Sequence, residues 1–315
     1  MAALLMLAAG CGTAQEAPSG AKGGLEQVTI AAPPAAGSLS VIVGIKKGIF
    51  KRNGLNVKWV SSGNLSVLAP SLGRQFDLVT SSPVELILAR SRGLDLVAVQ
   101  GSRREVADDP LVSVVAAPDS GITSMKNLEG RTVGSPDVAS TLALALKGAL
   151  KNAGAKPDDV DLKQVNFPDG PNQLKAGQVD AVVTTEPFAT LMESAGGVKV
   201  GSVIMDAFPH QSSVALVTWA ATKGWADDHP ETLKKLAKAN SEINDWIKGH
   251  EGEVRQLMVS ELHLPESVAA GVPIPVVDPS LGVKDFEPWL ELVGALDALH
   301  GRSVPSAKEL LGVPQ

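Results

Sequence analysis

Short apolar runs alternate with longer amphipathic segments along most of the chain. The runs at 76–79 and 179–183 have the length and composition of buried strands, and polar residues follow each of them. The segment 139–152 instead places Leu142 and Leu146 on one face of a helix. This alternation of strands and helices predicts an α/β fold with mostly parallel sheets.

The same pattern predicts an element for most of the chain. Strands are predicted at 28–32, 55–60, 76–79, 94–99, 111–116, 132–135, 160–165, 179–183 and 213–218. Helical segments are predicted at 39–47, 67–72, 125–128, 139–152, 231–248 and 286–299, and a loop at 276–280.

The strand pattern restarts after residue 116 and returns near residue 213, which predicts two lobes with the second inserted in the first. The crossings between them are expected to act as a hinge, near 115–117 and 216–219. The predicted division is a leader and tether at 1–24, lobe 1 at 25–116 and 219–315, and lobe 2 at 117–218.

One unit of strand, corner and helix occurs twice. In the first copy a strand runs into the sequence TSSP at 80–83, and Glu85 stands where a capping box requires an acidic residue. The segment 73–81 is echoed by 176–185, which also ends in hydroxyls, with Glu186 added before the proline. The free N–H groups at such helix starts favour a polar or anionic ligand. Two similar lobes facing each other across a ligand cleft are therefore predicted.

Composition limits the partners. The chain has 315 residues and a formal net charge of -6, so no basic face for nucleic acid is expected. Aromatic residues make up 3% and tyrosine is absent, which disfavours sugar sites and base-stacking surfaces.

The N-terminus resembles a bacterial lipoprotein leader. Residues 1–10 are apolar, and the sequence LAAGC at 7–11 has small residues before Cys11, which would carry the lipid. The segment 12–24 has the composition of a flexible tether. The prediction is an extracytoplasmic protein attached to the bacterial cell membrane through this anchor. A plain secretory leader or a chance cysteine is the alternative. No Lys or Arg precedes the apolar run, which departs from the usual leader. Cys11 is the only cysteine, so no intrachain disulfide is expected.

Three motifs carry a resemblance to a known family. They are KGIFKRNGLNV at 47–57, ITSMKNLEGRTVG at 122–134 and LKAGQVDA at 174–181. In this order and spacing the chain resembles the substrate-binding proteins of ATP-binding-cassette importers, of the nitrate/sulfonate/taurine type. The resemblance implies a two-lobed Venus-flytrap fold, a monomer that binds a small molecule between the lobes, and delivery to the permease subunits of an importer.

The resemblance also implies where the ligand binds, at loop tips facing the cleft. The candidate residues are Ser38, Ser62, Asn64, Ser81, Ser82, Ser135, Ser140, Thr141, Thr185 and Glu186. Ser82 and Ser135 are the foremost of these. Arg103 or Arg104 is a candidate positive charge for an oxyanion, with a solvated basic pair as the alternative. Glu186 in the cleft would instead favour a ligand with an ammonium group, unless it caps a helix.

The superfamily that the chain resembles also contains enzymes of thiamine-pyrimidine and menaquinone synthesis. The sequence offers no catalytic cluster, because its five histidines are scattered and only His210 lies in the second lobe. No enzyme activity, cofactor or metal is therefore expected. A ligand-sensing lipoprotein without transport remains open as a third class.

Overall fold

The computed structural model describes residues 24–33, 38–61, 68–139 and 141–312, and every structural statement below refers to these. The candidate residues Cys11, Ser62, Asn64 and Ser140 lie outside them, so the predictions for these four stay predictions.

The strands form two sheets and are numbered in chain order. They are β1 (Glu26–Ala32), β2 (Leu55–Ser61), β3 (Leu78–Ser81), β4 (Leu96–Val106), β5 (Val112–Ala116), β6 (Thr132–Ser135), β7 (Asp161–Gln164), β8 (Ala181–Thr185), β9 (Val198–Ser202), β10 (Ser213–Thr222) and β11 (Val276–Val277).

The helices flank these sheets. They are α1 (Leu39–Lys46), α2 (Ile49–Arg52), α3 (Pro83–Ser91), α4 (Thr141–Asn152), α5 (Gly170–Lys175), α6 (Phe188–Ser194), α7 (Val203–Ala207), α8 (Lys223–Asp228), α9 (Pro230–Gly249), α10 (Glu251–Leu262), α11 (Glu266–Gly271) and α12 (Val283–Ala295). Short 3-10 turns lie at Ala69–Ser71, Met125–Leu128, Pro157–Asp159, Phe167–Asp169 and Ala307–Leu310. No described helix is both long and apolar enough to cross a membrane.

The two-lobed α/β class predicted from the sequence is confirmed. The six-stranded sheet has the order β11-β4-β10-β3-β1-β2, and the five-stranded sheet has the order β7-β6-β8-β5-β9. Both sheets are mixed and not mostly parallel. Strand β10 runs antiparallel between β3 and β4, and β5 runs antiparallel between β8 and β9. Each of these two strands follows a crossing between the sheets, so it enters its sheet from the edge at which the other strands end.

Sheet membership differs from the predicted division at two strands. The strand β5, predicted in lobe 1, is hydrogen-bonded within the five-stranded sheet, and most of β10, predicted in lobe 2, lies within the six-stranded sheet. By this criterion the crossings lie at 107–111 and 203–212. Apolar runs predict that a strand exists but not which partners it takes, so the sheet to which β5 and β10 belong was not available from the pattern.

The internal repeat is visible in the hydrogen bonds of the two lobes. In one lobe the N–H of Thr29 donates to the Asp77 carboxylate at 2.7 Å. In the other the N–H of Thr132 donates to the Asp180 carboxylate at 2.8 Å. Both aspartates stand just before the strand that leads to a corner, so the echo in sequence corresponds to the same local structure twice.

Helix α12 joins the two lobes through a continuous apolar cluster. The indole N–H of Trp289 donates to the Ala215 carbonyl at 2.8 Å, and its ring meets the Phe208 ring edge-on with centroids 4.8 Å apart. On the same helix, Leu292 packs close to Gly148 of α4. Helix α12 therefore packs against both lobes.

Candidate functional site

The first corner forms as its sequence predicts. Ser82 is the N-cap of α3, Pro83 is the first helical residue, and the Ser82 and Glu85 side chains form a reciprocal capping box. The N–H of Glu85 donates to the Ser82 hydroxyl at 3.2 Å, and the N–H of Ser82 donates to the Glu85 carboxylate at 2.8 Å. This arrangement fixes a hydroxyl and a carboxylate at the edge of lobe 1.

A second corner, at the end of β6 and distinct from the repeated segment 176–185, faces it from lobe 2. Ser135 ends β6, is fully buried, and donates its hydroxyl to the carbonyl of Asp137 at 2.9 Å. Thr141, also buried, is the first residue of α4. Ser135 therefore supports its own loop, while Thr141 lies at the start of the helix.

The two corners contact each other directly. The Ser82 and Thr141 hydroxyl oxygens lie 2.5 Å apart, although the residues are 59 positions apart in the chain. The Ser82 hydroxyl also lies 3.1 Å from the Glu85 carboxylate. Because Ser82 has a single hydroxyl proton, donation to Glu85 leaves Thr141 as the donor across the lobes. The starts of α3 and α4 are thus joined by hydroxyls, with backbone N–H groups beside them.

Carboxylates give this contact an acidic surrounding. Burial raises the pKa of Glu85 above its usual range, and the nearby charge of Asp137 from lobe 2 raises it further, against the hydrogen bonds from Ser82. From the sequence Glu85 is predicted only as a capping residue, and nothing in the sequence pattern points to Asp137. The capping position is the sequence signal for Glu85. Asp137 comes near Glu85 only through the tertiary structure.

The remaining candidates in the described regions are buried, and several have local partners. Ser81 donates to the Ser82 carbonyl at 3.3 Å. Ser38 donates to the carbonyl of Pro33. The Thr185 hydroxyl is buried without a hydrogen-bond partner among the described residues. Glu186 accepts the N–H of Thr190 of α6 at 3.2 Å, the capping role that was the alternative to a cleft role, and burial raises its pKa.

The two candidate arginines differ. Arg104 is ion-paired, with its guanidinium 2.6 Å from Asp285 and 3.8 Å from Asp278. Arg103 is 7% exposed, and its Nε is buried without a hydrogen-bond partner in the described part of the chain. The nearest charge that affects it is Glu105, two residues along the same strand. Of the pair, only Arg104 is neutralised by an ion pair.

The histidine that the sequence placed in lobe 2 is on the surface. His210 is exposed and follows α7 in the crossing between the sheets. Among the described residues no group of three His, Cys, Asp or Glu side chains is arranged to hold a metal ion.

Comparisons with known proteins show what the chain is similar to in sequence. The family described as NMT1/THI5 like matches residues 36–252. A putative thiamine biosynthesis protein of Haemophilus influenzae is 34% identical over 235 residues, which cover 72% of this chain and 71% of that protein. The taurine-binding periplasmic protein of Escherichia coli is 27% identical over 118 residues, 38% of this chain and 36% of that protein.

A solved structure shows the same fold over nearly the whole chain. The periplasmic aliphatic sulphonate binding protein SsuA of Escherichia coli superposes with a TM-score of 0.71 at 19% identity. The superposition covers 90% of this chain and 96% of that one. The predicted resemblance to binding proteins of this type is thereby confirmed.

Proposed function

The chain belongs to the NMT1/THI5-like family, and from that premise we propose that it is a solute-binding protein that closes its two lobes around a small polar ligand. The observation that carries the proposal is the contact between Ser82 of α3 and Thr141 of α4. Two helix starts, one from each lobe, meet there with their N–H groups and hydroxyls, so a ligand bound beside this contact can bond both lobes at once. Closure is then favoured by the tighter binding of the closed state.

The cellular role follows from the relatives and the N-terminus. The taurine- and sulphonate-binding relatives are named periplasmic, which supports an extracytoplasmic location. We further propose attachment through a lipid on Cys11 and delivery of the ligand to the permease of an ATP-binding-cassette importer. Ligand capture needs no covalent step, and micromolar affinity corresponds to about 8 kcal/mol, which hydrogen bonds and modest apolar burial supply.

An enzyme of thiamine-pyrimidine synthesis is the second candidate. The name of the Haemophilus influenzae relative favours it, since that relative is 34% identical over most of both chains. The two candidates differ in what happens to the ligand. A binding protein returns it unchanged, whereas an enzyme converts it, and mass spectrometry of a bound compound before and after prolonged incubation distinguishes the two.

Binding is tested with variants at the two corners. Purified protein is screened by thermal shift against small sulfonates, nitrate, amines and pyrimidines, and the ligand-induced rise in melting temperature is compared among Ser82→Ala, Ser135→Ala and the parent. Ser82→Ala should weaken binding by about 0.5 to 1.5 kcal/mol for a neutral ligand and by up to about 3 for a charged one. Ser135→Ala tests the second corner in the same way. If no compound stabilises the parent and none converts, neither function holds.

A further inference from the structure

Helix α4 of lobe 2 contacts lobe 1 at two places on one of its sides. At the first residue of the helix, Thr141 meets Ser82 across the lobes. Seven residues further along the same helix, Gly148 faces Leu292 of α12. Residues seven positions apart in an α-helix lie on the same side, about 10 Å apart along the axis. One helix therefore holds a polar contact and an apolar contact at a fixed separation.

Helix α12, the partner in the apolar contact, is fixed to lobe 1. Asp285 in its first turn pairs with Arg104 of β4 at 2.6 Å, and the indole N–H of Trp289 donates to the Ala215 carbonyl of β10. The helix also packs against α3 and the turn Ala307–Leu310 of the same lobe. A change in the distance between α4 and α12 is therefore a change in the arrangement of the two lobes.

Gly148 has no room for a side chain at this contact. A Cβ added to it would lie 2.8 Å from Cδ1 of Leu292 and 3.3 Å from Cβ of Ala207 in α7. The first distance is well below the optimal separation of about 3.5 to 4.0 Å between carbon atoms. The surroundings are buried, with Leu144 of α4 and Val293 of α12 in one apolar cluster. Glycine is a poor helix former, and it is suited to a position where another helix approaches this closely.

We infer that Gly148 is a positioning residue for ligand capture. Its lack of a side chain allows α4 to approach α12, and the helix carries this approach to its first residue, where Thr141 meets Ser82. The inference rests on the proposed function, in which a ligand bound beside that contact bonds both lobes. A larger side chain at position 148 displaces α4 from lobe 1 and separates the two hydroxyls without touching the ligand. The binding arrangement is then populated less, and the apparent affinity falls in proportion.

The first measurement needs no ligand. Ser82→Cys and Thr141→Cys in a Cys11→Ser background report the contact through their rate of disulfide formation at a fixed oxidant concentration. The rate is compared for Gly148, Gly148→Ala and Gly148→Leu. We expect it to fall in that order, by about five- to a hundred-fold for leucine, because overpacking disfavours the packed arrangement by such a factor. Alanine and leucine both favour a helix more than glycine does, so the fall does not come from unfolding of α4.

Two further variants separate the contact between α4 and α12 from other effects. Leu292→Ala removes the side chain that the added atoms meet, so in combination with Gly148→Leu it should restore most of the rate. Gly252→Leu adds the same side chain to an exposed helix glycine with nothing within 4 Å, so it should leave the rate within about two-fold of the parent. If Gly148→Leu does not fold, Gly148→Ala with and without Leu292→Ala provides the same comparison.

Binding is measured by calorimetry in chains that keep Ser82 and Thr141. The probes are ethanesulfonate, nitrate, ethylamine and 4-aminopyrimidine. A probe that binds the parent should bind Gly148→Leu about five- to a hundred-fold more weakly, with recovery when Leu292→Ala is added.

The inference is wrong if the parent cysteine pair does not oxidise, if Gly148→Leu oxidises as fast as the parent pair, or if Leu292→Ala does not restore the rate. Equal affinity of Gly148→Leu and the parent for a probe would also contradict it. If none of the probes binds and the purified protein releases no small molecule on denaturation, the proposed function fails. The disulfide rates then still decide whether Gly148 positions the lobes.

Discussion

The Ser82 hydroxyl has two structural partners, its own helix and the other lobe. Its loss should cost about 0.5 to 2 kcal/mol through the missing N-cap alone, whether or not a ligand binds. The hydrogen bond with Thr141 adds a contribution to the free energy of unfolding that requires both residues. The effects of a Ser82 substitution on stability and on ligand binding must therefore be measured separately.

A double-mutant cycle isolates the contact between the lobes. Ser82→Ala, Thr141→Ala and the double variant are unfolded in urea without ligand. We expect a coupling free energy of about 0.5 to 1.5 kcal/mol, the net value of one hydrogen bond. Costs that simply add would mean that the lobes do not touch here in solution. The pair Ser194→Ala and Ser306→Ala, two exposed residues far apart in sequence, serves as the additive control.

Glu105 should make stability depend on pH. Burial raises its pKa from the usual 4.5 to about 7, against the charge of Arg103 and the N–H groups of Val112 and Leu111. The folded protein therefore holds the proton more tightly than the unfolded chain. The stabilisation is complete below pH 4.5 and is lost as the pH rises to about 7, by up to about 3 kcal/mol.

The variant Glu105→Gln keeps an acceptor for the Val112 N–H but cannot ionise. Urea unfolding at a series of pH values between 4.5 and 8 should show a flatter profile for this variant than for the parent, with equal or higher stability at pH 8. Glu291→Gln, an exposed change on α12, controls for the loss of one charge. An unchanged profile in Glu105→Gln would assign the pH dependence to other groups.

At the scale of elements, two helix glycines have opposite surroundings. A Cβ on Gly44 of α1 would lie 2.3 Å from the Phe50 ring and 2.6 Å from Ile243 of α9. Gly252 of α10 has nothing within 4 Å of the same position. Gly44 is thus required for the close packing of α1, and Gly252 is not.

Alanine at the two glycines should therefore act in opposite directions. Gly44→Ala is expected to destabilise the protein by about 1 to 3 kcal/mol through overpacking. Gly252→Ala should stabilise it by up to about 1 kcal/mol, because alanine restricts the unfolded chain and favours the helix. Thermal melting of the two variants measures both effects, and a loss of stability in each would contradict the packing described for α1.

The sequence predicted the helices and strands better than it predicted which strands pair with each other. Helix α9 and strand β6 were predicted nearly to their ends because periodicity and apolar runs are local signals. The segment 276–280, predicted as a loop, contains the short strand β11, which exists only because β4 offers it an edge.

The same distinction between local signals and long-range contacts applies to the candidate site. The capping box at Ser82 and Glu85 was predictable because its residues lie three apart. The contact with Thr141 depends on how the two lobes dock, and the ion pair that distinguishes Arg104 from Arg103 depends on where α12 packs. The local hydrogen bonds were therefore predictable from the sequence. Which hydroxyl contacts the other lobe, and which arginine is ion-paired, were not.

At the scale of the whole molecule, the proposed closure should change the dimensions of the protein. Small-angle scattering is expected to give a smaller radius of gyration with a bound ligand than without it. The control is a disulfide between Ser82→Cys and Thr141→Cys in a Cys11→Ser background, chosen because the two hydroxyl oxygens lie 2.5 Å apart. The oxidised control should not compact further, and an identical radius for the free and bound parent would argue against hinge closure.

The proposed membrane attachment is tested separately. Replacing Cys11 with Ser should release the protein from membranes, because stable anchoring requires more than one acyl chain and this variant carries none. Cell fractionation with a high-salt wash measures the effect. A Cys11→Ser protein that still sediments with membranes would exclude the lipoprotein prediction.

The position of β10 between β3 and β4 also has a consequence for synthesis. The central hydrogen bonds of the six-stranded sheet cannot form until residue 222 has been made, whereas the strands of the five-stranded sheet all lie between residues 112 and 202. The inserted lobe can therefore fold first as a continuous segment, and the outer lobe must wait for its returning strand. Long-range pairing of this kind slows the folding of the outer lobe, so a chain exported as proposed would have time to cross a membrane before that lobe becomes compact.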